Sequence, residues 1–119
     1  MDKNNPIAQM TKDFALRIVK LSNYLGDEKK EYVLSKQILR SGTSIGANIR
    51  EGIYAQSKAD FISKLSIALK ESSETEYWLE LLHESGYLFD KEFESIYDDN
   101  SRISATLINI IKKSKTSAV

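Results

Sequence analysis

Residues 38–52 read ILRSGTSIGANIREG, and the reading of this stretch decides the fold. Taken residue by residue it resembles a loop, because Gly42, Gly46, Ser41, Thr43 and Ser44 are neutral to poor helix formers. Yet Ile38, Ile45, Ile49 and Ile53 recur at helical spacing across it, and no proline interrupts the period. Gly42 and Gly46 are four residues apart, which places them on one side of one helix, a turn apart. A side without side chains lets another helix come close. The stretch therefore reads as the centre of a helix that gives up propensity for close packing. The competing reading is a Gly/Ser loop between two short helices.

Working outward, this helix extends over about 28–55, with Asp27 as a candidate cap. Before it, Ile7, Met10, Phe14, Ile18, Leu21 and Leu25 alternate by threes and fours over about 6–25. Asn5 suits the cap of that first helix, Pro6 its first turn, and Gly26 the position just past its end. After the central helix, Ser57 with Asp60 resembles a capping box and opens a third helix over about 58–85, closed by Gly86. A fourth follows over about 91–113, with Asp90 as its cap. There Phe93, Ile96, Tyr97, Ile103, Leu107, Ile110 and Ile111 keep a seven-residue repeat, and Asn100 takes one core-like place. The tail from Lys112 is expected to fray. Four amphipathic helices with short joints predict an all-α, up-down-up-down antiparallel four-helix bundle as one domain over 1–119.

The third helix is apolar on more than one side. At about 100° per residue, Phe61, Leu65, Leu69 and Leu79 share one face, while Ile67, Trp78, Leu81 and Leu82 point to another. A helix that serves only its own bundle needs one stripe. The second stripe makes Tyr77, Trp78 and Leu81 candidates for a subunit interface, where aromatic residues are favoured. An aromatic filling a wide bundle core explains the same pattern equally well.

The chain has no cysteine, so disulfides and thiolate ligands are excluded. It lacks an apolar signal core and any apolar run of membrane-spanning length, so a cytoplasmic protein without a membrane partner is expected. Net charge is zero but unevenly spread: residues 71–99 hold one basic and ten acidic side chains, and residues 100–119 hold four basic and none acidic. A dedicated nucleic-acid binder is usually basic overall. The candidates for phosphate contact are Arg40, Arg50, Lys112, Lys113 and Lys115, provided an oligomer repeats them around one rim. No recognition motif accompanies them.

Catalytic patterns are absent. Glu80-Leu81-Leu82-His83 is a lone Glu-x-x-His, and His83 is the sole histidine. The second motif of a di-metal bundle therefore cannot be built within one chain. No metal site and no cofactor are expected. Glu71, Glu74 and Glu76, which Arg40, Asn48, Arg50 and Glu51 on the second helix could meet, could be read as paired carboxylates for acid–base work. A polar network that fixes helix register is the favoured reading. Gly42 and Gly46 match no phosphate-cradling loop.

QILRSGTSIGANIREG (37–52), followed by SKADFISKLSIALKESSETEYWLELL (57–82), resembles the bacterial four-helix-bundle family of 23S rRNA intervening-sequence proteins. Thr43 to Asn48 and Lys70 to Leu79 carry the most specific part of the resemblance, which covers roughly residues 7–110. It implies a four-helix bundle that assembles as a homopentamer, with no enzymatic activity. The family is also similar to the accessory protein of diversity-generating retroelements, a basic pentameric barrel that binds nucleic acid; the present chain is neutral instead. The expected function is a non-enzymatic homo-oligomeric scaffold, with itself as partner. The alternative is an RNA- or DNA-binding accessory protein.

Overall fold

Four α-helices make up the computed structural model, which describes residues 5–117: α1 (Pro6–Asp27), α2 (Leu34–Ile53), α3 (Lys58–Glu84) and α4 (Asp90–Thr116). No strand occurs among the described residues. Local chemistry sets most of the ends. Asn5 Oδ1 accepts from the Ile7 amide at 3.0 Å, with Pro6 in the first turn. Ser57 Oγ accepts from the Asp60 amide at 3.1 Å, and the Asp60 carboxylate reaches back to the Gln56 amide at 3.3 Å. Gly86, at φ 88°, ends α3 in the left-handed region that glycine enters most readily.

The joint between α1 and α2 departs from the sequence expectation. Gly26 lies inside α1, and α2 begins at Leu34 rather than near Glu28. Asp27 is the last residue of α1, not a cap. Lys30 turns the chain at φ 54°, and the Glu31 amide donates to Leu25 O at 2.9 Å. The Glu31 carboxylate then accepts from the amides of Leu34 at 3.1 Å and Ser35 at 2.8 Å, satisfying two free donors of the first turn of α2. Glu31→Ala is expected to lower stability by about 1 kcal/mol, the usual worth of a helix cap. Urea unfolding checks it, and an unchanged midpoint would remove Glu31 from that role.

At the other joints, Asp90 is the first residue of α4 rather than its cap; Phe89 holds the cap position without a side-chain bond. Asp90 and Glu92 still favour the positive end of the helix, and Lys113 and Lys115 its negative end. The tail expected to fray is helical as far as Thr116, while residues 118–119, like residues 1–4, lie outside the described part.

Each helix packs on its chain neighbours, and α1 also packs on α4, so among the described residues α1 and α3, and α2 and α4, lie diagonally across the bundle. The body measures 50 × 21 × 20 Å. Contact positions run in opposite senses along adjacent helices. Gly42 faces Ile18 whereas Gly46 faces Thr11. Ser41 meets Thr75 whereas Glu51 pairs with Lys64. Ser72 meets Asn100 whereas His83 meets Asp90.

The core is a single cluster that includes Ile18, Ile38, Ile45, Ile49, Leu65, Leu79, Leu82, Ile103 and Leu107. Through it run two polar seams. Thr75 Oγ1 bonds Ser41 Oγ at 2.9 Å between α3 and α2. Asn100 on α4, 1% exposed, donates from Nδ2 to Ser72 O at 2.9 Å and accepts from Ser72 Oγ at 2.9 Å. No buried side-chain nitrogen or oxygen among the described residues lacks a partner. Each such bond contributes only about 1 kcal/mol, but an unmatched group at the same place costs about 1–3 kcal/mol, so the seams penalise helix slippage.

Candidate functional site

The outward side of α3 is where apolar surface is left over. Tyr77 is 54% exposed and Ile67 38% exposed, with Trp78 and Leu81 half-buried. The Tyr77 and Trp78 rings meet edge to face, with centroids 5.2 Å apart. Leu82, assigned by periodicity to the same stripe, is fully buried instead. Contact with both α2 and α4 widens the buried arc of α3 until it includes Leu82 beside Leu79. The body of Trp78 packs on the core cluster, and its indole edge remains partly exposed.

That edge is fixed. Trp78 Nε1 donates to Glu74 Oε2 at 2.9 Å, and the same carboxylate oxygen takes the Arg40 guanidinium. Arg40 also reaches Glu71 Oε2 at 3.3 Å. A residue on α2 thus orients an aromatic ring on α3 through one carboxylate.

The four residues read as one polar network are dispersed. Glu71 and Glu74 come together on Arg40. Asn48 instead donates to Ser44 O of its own helix at 2.9 Å, because it stands one turn from that carbonyl. Glu51 pairs with Lys64 at 3.4 Å, since α3 there presents a cation and not a carboxylate. The fully buried polar links between the helices are the seams through Ser41, Ser72, Thr75 and Asn100. Small polar residues in core phase were their signal, legible for Asn100 and missed for the other three.

The cations divide similarly. Arg40 is engaged by two carboxylates. Arg50 is exposed in the last turn of α2. Lys112, Lys113 and Lys115 are exposed at the C-terminal end of α4, where Lys58 Nζ also donates to Ser117 O at 2.6 Å. Gly42 and Gly46 line the contact with α1. A β-carbon at Gly42 would lie 2.8 Å from two Ile18 side-chain carbons, and one at Gly46 would lie 3.3 Å from Thr11 O.

The titratable groups of the α3–α4 turn serve structure. Glu80 accepts from Tyr97 Oη at 3.0 Å. Burial, then the bonds and charges of Glu80 and Glu76, push the Tyr97 phenol up to about 12, so it remains a donor. His83 stacks on Phe93 with centroids 4.0 Å apart and bonds Asp90 at 2.7 Å. Glu80 and His83 are therefore turned to different partners. No group of three His, Cys, Asp or Glu residues suited to a metal ion occurs among the described residues. A groove of about 580 Å³ runs between α1 and the α3–α4 turn, past Leu21, Tyr24, Tyr87 and Phe89. Its aromatic wall holds the chain's own Lys29, with Nζ 5.9 Å from the Tyr24 ring and 5.8 Å from the Phe89 ring. No described helix is long and apolar enough to cross a membrane.

Residues 3–109 match the family model described as 23S rRNA-intervening sequence protein. The chain is 58% identical to a protein of unknown function from the S23 ribosomal protein family of Bacteroides thetaiotaomicron, whose crystal structure superposes with a TM-score of 0.90 over 92% of this chain and 98% of that one. No curated protein matches the chain.

Proposed function

This chain belongs to the 23S rRNA-intervening sequence protein family, and we propose that it acts as a non-enzymatic homo-oligomeric scaffold, joined through the outward side of α3. The carrying observation is the exposed Tyr77 beside a Trp78 whose indole is held by Glu74 and Arg40. A flexible aromatic on a monomer surface needs no such fastening, whereas an anchor for a partner gains from pre-organisation. Within the protomer the helices run up-down-up-down, which the opposed contact positions on adjacent helices support. Five copies per assembly rests on the resemblance of residues 37–52 and 57–82 to pentameric relatives.

Native mass spectrometry at low salt tests the reading. A mass of five times 13.5 kDa is expected, and Trp78→Asp should reduce it to that of a single chain. A wild-type protein found only as monomers would overturn it. A second reading, as a cytoplasmic RNA- or DNA-binding accessory protein, is favoured by the exposed Lys112, Lys113 and Lys115, which have no acidic neighbour in residues 100–119. It requires an affinity for oligonucleotides that falls steeply with salt and weakens when these lysines are changed to glutamate. No binding at low salt to either single- or double-stranded probes would end it.

A further inference from the structure

The face of α3 needs a surface to land on, and one region of the same chain fits it. Between α1 and α2 lies a shallow groove of about 260 Å³. Its floor is Ala15, Thr43, Gly46 and Ala47, and its flanks are Lys12 and Arg50. The Thr43 hydroxyl is bonded to Leu39 O at 2.7 Å, so the floor presents no free polar side chain. The hollow follows from the same small residues that let α1 and α2 approach. Beside it, Leu16, 55% exposed, and Val19, 38% exposed, continue the apolar surface along α1. Small floor and bulky face are complementary in shape.

Charge is complementary too. Neither Lys12 nor Arg50 makes an ion pair among the described residues, as the pairs there are made by other cations. The C-terminal half of α3, residues 71–84, holds five glutamates and no lysine or arginine. We infer that this groove receives the Tyr77–Trp78 face of α3 from a second copy of the chain, with Lys12 and Arg50 against its carboxylates. The inference rests on the self-assembly reading above and adds which surface is met.

The contact joins unlike patches. The groove belongs to α1 and α2 and the face to α3, and α1 and α3 are not adjacent helices of the bundle. In a closed ring each copy would offer a face to one neighbour and a groove to another. That is a heterologous contact, which propagates until it closes as a ring, and not the self-matching contact of a two-fold dimer.

Two variants at exposed positions separate the halves of the contact: Tyr77→Asp disables the face and Ala47→Arg fills the groove. Circular dichroism and thermal unfolding confirm that each remains folded. Native mass spectrometry of each alone should give single chains, and an equimolar mixture should give a one-to-one dimer, because one intact face and one intact groove remain. If Ala47→Arg assembles like the wild type while Tyr77→Asp does not, the groove is not the receiving surface, although the assembly reading stands. If both variants dissociate and the mixture stays monomeric, the contact is not of this heterologous kind. A monomeric wild type removes this inference together with the reading beneath it.

Discussion

Asn100→Asp is expected to be close to wild-type stability at pH 4 and about 4 kcal/mol less stable at pH 7 to 8. Asn100 is 1% exposed and donates its amide to Ser72 O while accepting from Ser72 Oγ. A protonated aspartic acid has nearly the same shape, and its hydroxyl can replace the lost N–H on Ser72 O. An ionised one places a negative charge against that carbonyl oxygen in a site closed to water. The introduced carboxyl therefore titrates higher in the folded chain than its unfolded value of about 3.9. Full burial raises such groups by about 3–5 pKa units, at about 1.4 kcal/mol per unit. The sign follows: with the folded pKa raised, stability is retained below the unfolded pKa and lost as pH rises through the folded one. At pH 7 the loss is about 4 kcal/mol, a large share of the roughly 5–15 kcal/mol typical of a domain. Urea unfolding of variant and wild type at pH 4 and 7.5 measures it. An equal offset at both pH values would mean that the carboxyl reaches water and that the seam is open.

How much of this was legible beforehand differs by kind of information. The isoleucine period over 38–53 placed Ile38, Ile45 and Ile49, all fully buried, and correctly outweighed the poor helix propensity of the glycines and serines between them. Period is summed over many residues, whereas propensity is a weak preference that tertiary packing overrides. The start of α2 was not legible. Gly26 carries a terminator's identity but sits inside α1, and the first-turn amides of α2 are bonded by Glu31, ahead of a cap position that Val33 holds without a side-chain bond, outside the usual Ser/Thr/Asp/Asn pattern. Pairing across helices was legible only as phase. Asn100 stood in a core position, but that Ser72 would meet it depends on the rotation of two helices about their axes. Likewise, Arg40 finds Glu71 and Glu74, which lie 31 and 34 residues away. The sequence placed Arg40 among several α2 residues that could meet these glutamates, but spacing along one helix could not select it from them. The face of α3 fell between these cases: its apolar excess was visible, while the removal of Leu82 into the core was not.

The close approach of α1 and α2 makes a demanding prediction of its own. Gly42→Leu is expected to lose about 3 kcal/mol. Its β-carbon alone would sit 2.8 Å from two carbons of Ile18, which is 0% exposed and cannot swing away into solvent. Ile18 is also branched at Cβ and stiff at its first torsion, so relief requires the helices to move apart. Overpacking of this kind typically costs about 1–3 kcal/mol, and occasionally more. The gain from replacing glycine within a helix, up to about 1 kcal/mol, offsets only part of it. Ile18→Ala alone should lose about 2–5 kcal/mol through the cavity it leaves. Together, however, the two changes exchange volume across one contact, and a large residue on α2 fills what α1 has given up. The double variant should therefore be more stable than the sum of the single losses predicts, by about 0.5–3 kcal/mol, the range found for residues in direct contact. Denaturant midpoints of the four proteins close the cycle. Simple additivity would show that the two positions do not share space, and the glycines at 42 and 46 would then need another explanation than the approach of α1. A positive coupling would tie the least helix-like stretch of the sequence to the packing that makes it helical.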